Sequence, residues 1–129
     1  MKSIQLNNNF KAILPDEWNI ETEGNVISLY NALGGCGALQ FTSYLVPNIS
    51  DIDPVEELFW CIADKHQDLE VKSNNNCSFA NITDYNGIYW RYWLFKNSKA
   101  VLLVTYNCDV TDKDEESTVI EIIIRSVNG

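Results

Sequence analysis

Two neighbouring segments in the second half of the chain are apolar on both faces of a strand, and this pattern constrains the fold most. Residues 88–95 alternate between two mostly apolar sets, which are Ile88, Trp90, Tyr92, Leu94 and Tyr89, Arg91, Trp93, Phe95. Residues 100–108 show the same feature in weaker form. A strand with one solvated face would carry a polar set. We therefore expect a sheet that is covered on both faces.

The rest of the chain predicts further strands joined by short turns. Glu23-Gly24-Asn25 separates two strands as a hairpin turn, and Pro15-Asp16 and Asp84–Gly87 are turn signals as well. The predicted strands are residues 10–14, 18–22, 26–30, 38–46 and 77–83, together with the two segments above. Residues 77–108 then form an antiparallel meander.

The strongest local signal is a helix that begins after Asp53. Asp53 is the expected N-cap, Pro54 occupies the first helical position and Glu56 completes a capping box. Apolar residues at helical spacing predict one buried face, formed by Val55, Leu58, Phe59, Ile62 and His66. Trp60 and Cys61 broaden this face. We expect the helix to end near Lys65 or His66.

The last segment, residues 116–127, is compatible with a strand or a helix. Its Val and Ile residues favour a strand by propensity. Acidic residues at 112–116 suit a helix start, and Ile120, Ile123, Ile124 and Val127 share a helical face. We choose the helix, because a second layer has to cover the other face of the sheet. The expected fold class is α+β, an α/β/α sandwich of an antiparallel sheet and two helices.

The order of elements resembles the fold group of PsbP-like and Ran-binding Mog proteins. The opening Phe10-Lys-Ala-Ile-Leu-Pro-Asp-Glu-Trp18, the helix after Pro54, the hairpin of residues 88–108 and the apolar helix ending at Ser126-Val127 carry the resemblance. It covers most of the chain and implies the sandwich fold. The resemblance indicates little about function, since proteins with that fold include assembly factors, partner-binding proteins and small bacterial domains of uncharacterised function.

Composition and charge limit the function classes. The 129 residues fit one domain, residues 1–129, and the 46% hydrophobic content is typical of a folded chain. The net charge of −9 argues against binding to nucleic acid and against binding to an anionic membrane surface. No secretory signal or membrane span is recognisable, so we expect a cytoplasmic monomer or weak dimer with four reduced cysteines.

No motif in the sequence predicts a catalytic residue, a cofactor or a metal site. The glycine run Leu33–Gly37 lacks the Lys-Ser/Thr of a phosphate loop and precedes a strand. Two acidic clusters, at residues 51–57 and 109–116, lack the Gly and Glu positions of an EF-hand loop. The one histidine, His66, and Cys61 diverge on their helix, and Cys36 is the only thiol expected in an exposed loop.

We therefore expect a non-catalytic protein-binding domain that binds a basic partner, with an immunity or antitoxin-like protein as one subtype. The candidate partner-binding residues are Tyr89, Arg91 and Trp93 on an exposed aromatic face and Asp112, Asp114, Glu115 and Glu116 in an acidic cluster. Two alternatives stay open. One is a pocket for a small apolar ligand or lipid, and the other is an uncharacterised hydrolase that uses carboxylates.

Overall fold

The structure is a computed structural model that describes residues 1–7, 9–66 and 69–129. Its helices are α1 (Pro54–Ile62) and α2 (Ser117–Ser126). Its strands are β1 (Lys2–Leu6), β2 (Phe10–Leu14), β3 (Trp18–Glu23), β4 (Val26–Asn31), β5 (Gly37–Tyr44), β6 (Lys72–Ser73), β7 (Ser78–Thr83), β8 (Ile88–Lys96) and β9 (Val101–Asp109). The strand predictions are confirmed in place and type, while β1 and β6 were not predicted.

Seven of these strands form one antiparallel sheet in the order β3-β4-β5-β9-β8-β7-β6. Strand β9 is in the middle, and it pairs with β5 on one side and with β8 on the other. The two segments with apolar residues on both faces are therefore interior strands. Strands β1 and β2 form a separate hairpin.

The two faces of the sheet carry two separate cores. On one face α1 packs against β7 and β8, and its Leu58 and Ile62 bury Tyr92 and Leu94. On the other face α2 and the β1–β2 hairpin cover a larger core that includes Trp93. The predicted α/β/α sandwich is confirmed, with the hairpin as an additional part of the second layer.

Helix α1 begins as expected and ends earlier than expected. The Asp53 side chain accepts a hydrogen bond from the Val55 amide at 3.1 Å, which confirms the N-cap. The helix ends at Ile62, and residues 63–65 continue only as turns. The prediction that Phe59 belongs to the buried face is wrong, because it is 42% exposed. The apolar stripe facing the sheet is narrower than the sequence suggested.

Residues 117–126 are helical, as predicted, although the acidic residues do not act as expected. Ile120, Ile123 and Ile124 are buried against the sheet. The first turn of α2 contains no acidic residue, since Asp112 closes a short 3₁₀ turn and Glu116 is at the N-cap position without a side-chain capping bond. Burial of the apolar face accounts for this helix better than its dipole does.

Among the described residues, no helix is long and apolar enough to span a bilayer.

Candidate functional site

The sequence-predicted aromatic face is placed partly in the core. Trp93 is 4% exposed and packs under α2, so the expectation that it is an exposed recognition residue is wrong. Tyr89 is half-buried at the edge of the same core. The Arg91 guanidinium lies 4.5 Å from the centre of the Trp93 ring and pairs with Glu121 of α2. Arg91 and Trp93 therefore line a crevice between β8 and α2, and Tyr89 is not part of it.

The acidic cluster at 112–116 is also divided by the structure. Asp114 and Glu115 are exposed and Asp112 is half-buried, which agrees with a solvated acidic turn. Glu116 is only 7% exposed, so the prediction that it belongs to a surface cluster is wrong. Its side chain turns inward because the glycine run and β9 supply donors there.

The glycine run encloses the Glu116 carboxylate. Glu116 Oε1 accepts hydrogen bonds from the backbone amides of Cys36 (3.3 Å) and Gly37 (3.1 Å) and from the Tyr106 hydroxyl (2.9 Å). Gly37 is required here, since a Cβ atom would overlap the Asn107 carbonyl and lie 2.7 Å from the Tyr106 ring. A loop whose composition resembled a phosphate loop therefore holds an internal carboxylate.

The thiols have the properties of buried cysteines rather than of nucleophiles. Burial raises the pKa of Cys36 to about 11 and that of Cys77 to about 11. Burial also raises the pKa of Cys61 and Cys108. All four cysteines are free. A nucleophilic cysteine needs a lowered pKa, and none of these environments provides one.

His66 is a buried hydrogen-bonding residue on the α1 side of the sheet. Its Nε2 atom lies 2.7 Å from the Tyr92 hydroxyl, and its ring contacts Trp90 edge to face. Burial lowers the pKa of His66, so the ring is neutral at pH 7. A crevice of about 600 Å³ lies beside it, lined by residues 64–66 after α1 and by residues 82–85 at the end of β7 and in the β7–β8 turn. His66 and Cys61 do not form a catalytic pair, since Cys61 instead lies 3.6 Å from the Tyr44 hydroxyl.

Two aromatic side chains, Phe59 and Trp60, are exposed on the outer face of α1. Trp60 is 66% exposed and Phe59 is 42% exposed, with their rings in edge-to-face contact at 5.4 Å. The acidic residues Glu56 and Asp64 are four residues before and after Trp60 and are both exposed. Sequence reasoning assigned both aromatic residues to the core. The i, i+4 spacing of Glu56, Trp60 and Asp64 was the signal for an exposed stripe.

Within the described ranges, no group of three or more His, Cys, Asp or Glu side chains has an arrangement that could hold a metal ion.

No protein-family model and no curated protein sequence matches the chain. Solved structures do match it. The solution structure of cyanobacterial PsbP (CyanoP) from Synechocystis aligns with a TM-score of 0.68 at 8% identity, covering 98% of this chain and 91% of that one.

A crystal structure from Bacteroides thetaiotaomicron aligns with a TM-score of 0.63 at 10% identity. That alignment covers 93% of this chain, which spans 44% of the Bacteroides chain. At such identities the likeness concerns the fold alone, and it confirms the resemblance that the sequence suggested. The chain has a PsbP-like α+β fold.

Proposed function

We propose that this protein is a non-catalytic protein-binding domain that docks a basic partner on the outer face of α1. The docking surface consists of Phe59 and Trp60 with the flanking carboxylates of Glu56 and Asp64. The partner is a protein with an apolar socket surrounded by Lys and Arg side chains. The observation that carries the proposal is the exposure of Trp60, 66%, on a helix whose opposite face is fully buried.

Exposed aromatic residues of this kind are typical of binding surfaces. Tryptophan is among the residue types that dominate binding energy when a partner buries them. A helix needs one apolar face to pack on its own sheet, and Leu58 and Ile62 already supply it in α1. Phe59 and Trp60 are therefore additional to what the fold requires.

Charge determines the kind of partner that suits this surface. Residues 51–65 contain five acidic residues, Asp51, Asp53, Glu56, Glu57 and Asp64, and one basic residue, Lys65, whose ammonium group lies over the Trp90 ring. One lysine reaches the start of the helix, where Lys96 Nζ donates to the Ile52 carbonyl at 2.7 Å. A basic rim on the partner would complement this potential and accelerate the encounter. The exposed acids Asp114 and Glu115 add to the overall attraction.

None of the four thiols, all of which are among the described residues, is activated as a nucleophile, and this supports the proposal of a non-catalytic role. The thiols have raised pKa values, and the hydrogen bonds to the buried Glu116 carboxylate all come from its own chain and go to Oε1. Neutralisation of a basic toxin in the cytoplasm, as an immunity protein or antitoxin does, is one biological form of the proposal. Small size and a charge of −9 support that form.

Capture of partners from an extract of the source cells tests the proposal. The bait is the wild-type chain, the Trp60→Ser variant or the matched control Leu33→Ser, since Leu33 is 80% exposed outside this surface. We expect wild type and Leu33→Ser to retain the same basic protein, and Trp60→Ser to lose it. If Trp60→Ser retains every protein that wild type retains, the proposed surface is wrong.

A further inference from the structure

A second crevice lies on the opposite side of the sheet from α1. Its hydrogen-bond donors take no part in the docking surface proposed above. The crevice has a volume of about 330 Å³ and is bounded by β8, α2 and the loop before β7. Arg91 and Arg125 both line it, and Glu121 is the only acidic residue there. A local charge of about +1 in a chain of net charge −9 is unusual.

The hydrogen bonds of Arg91 leave most of its donors unused. A guanidinium group has five N–H donors. Within residues 1–7, 9–66 and 69–129, the only hydrogen bond from this side chain runs from Nη2 to Glu121. The side chain is only 19% exposed, and its guanidinium carbon lies 4.5 Å from the centre of the Trp93 ring. It is therefore a preorganised donor group with capacity for an acceptor from outside the chain.

Arg125 and Asn74 add donors at the same rim. Arg125 is one helical turn after Glu121, yet the Glu121 carboxylate pairs with Arg91, and Arg125 has no carboxylate partner among the described residues. The Asn74 side-chain oxygen already accepts from the amides of Asn76 and Cys77, so its NH₂ group is the part that remains for a ligand. Both groups donate, as Arg91 does.

The inner wall of the crevice is apolar and aromatic. Phe79, Trp93, Phe95 and Ile124 line it, and Phe79 is the one of these four that is half-buried rather than buried. Small-molecule sites commonly combine such a wall with a few converging polar groups, and this volume is at the lower end of their range. Arginine side chains match a carboxylate in geometry and charge.

We propose that this crevice binds a small carboxylate with an aromatic or aliphatic body. The carboxylate accepts hydrogen bonds from Arg91 and Arg125, and the body packs on the half-buried Phe79 beside them. The site is independent of the docking surface proposed for α1, since the two lie on opposite faces of the sheet. It also differs from the neutral apolar ligand that the sequence suggested, because the rim is cationic.

Titration of the ¹⁵N-labelled protein with benzoate tests the site, with benzyl alcohol as the neutral analogue and inorganic phosphate as the anion without a body. We expect benzoate to produce saturable shifts in the Trp93 indole N–H and the amides of residues 74–77, with a dissociation constant of roughly 1 mM. The Arg125→Gln variant should bind at least about fivefold more weakly. The Lys113→Gln control, with the same change in charge, should bind as wild type does.

Each other result overturns part or all of the proposal. If benzoate produces no saturable shifts, or if Arg125→Gln and Lys113→Gln bind equally, no carboxylate site exists here. If benzyl alcohol shifts the same signals to the same extent, the arginines do not select the ligand. If phosphate binds as well as benzoate, the apolar body has no role.

Discussion

Removal of the Glu116 carboxylate should destabilise the domain far more than removal of its neighbour. Glu116 connects three parts of the fold, because it begins α2 and accepts hydrogen bonds from the glycine run and from Tyr106 of β9. Glu115 is exposed, so it is a matched control of the same residue type. The perturbations are Glu116→Ala, Glu116→Gln and Glu115→Ala.

The magnitude follows from the bonds lost. Hydrogen bonds to a charged group contribute about 1.5–3 kcal/mol each, and a donor left buried without a partner carries a further penalty. The Tyr106 hydroxyl is the strongest case, since this residue is 2% exposed and the hydroxyl would keep only the Cys36 thiol, 3.6 Å away, as a partner. We expect Glu116→Ala to lower the free energy of unfolding by about 3–5 kcal/mol. Glu116→Gln keeps an acceptor oxygen and should lower it by about 1–2 kcal/mol.

Urea unfolding followed by tryptophan fluorescence measures these values, with the slope m checked for constancy across variants. A double-mutant cycle with Tyr106→Phe isolates the bond between the two side chains, and we expect a coupling energy of about 1–2 kcal/mol. The reasoning is refuted if Glu116→Ala and Glu115→Ala have the same unfolding midpoint, or if the cycle shows no coupling.

Three further predictions concern single positions. Asp53→Ala should lower the free energy of unfolding by about 1 kcal/mol through loss of the bond to the Val55 amide, and an unchanged urea midpoint would contradict the cap. Gly37→Ala should lower it by about 1–3 kcal/mol, because the new Cβ overlaps the Asn107 carbonyl, and a variant as stable as wild type would show that the strand relaxes freely. Burial lowers the pKa of His66, so its contribution to stability is present above its unfolded pKa of about 6.5 and is lost as pH falls. The free energy of unfolding should therefore decrease between about pH 7 and pH 5 in wild type, and it should decrease less in His66→Gln. Parallel pH profiles of the two proteins would show that His66 is not the cause of the pH dependence.

The architecture was predictable because it depends on patterns that repeat along the chain. Alternation in residues 88–108 indicated interior strands covered on both faces, and the need for a second layer decided in favour of helix α2. Strand β1 escaped prediction because Lys2–Leu6 has only two apolar residues, Ile4 and Leu6, although its burial alternates. The hairpin it forms with β2 is stabilised by packing on the α2 side, which no local signal encodes.

The candidate sites were less predictable, because each depends on where one side chain points. Trp93 and Trp60 are both aromatic residues in apolar runs, yet one is 4% exposed and the other 66%. The difference arises from which face α1 and α2 cover. Glu116 has the same type and surroundings in sequence as Glu115, and only the approach of the glycine run to β9 turns its carboxylate inward.

The most direct test of the proposed function is a titration of the purified basic partner, once captured, against wild type, Trp60→Ser and Leu33→Ser at two salt concentrations. We expect wild type and Leu33→Ser to bind equally, and Trp60→Ser to lose about 2 kcal/mol or more of binding free energy. We also expect affinity to fall as salt rises from about 0.05 M to about 0.5 M, since the acidic rim is exposed and screened. Equal binding by all three proteins, or affinity independent of salt, would contradict the account.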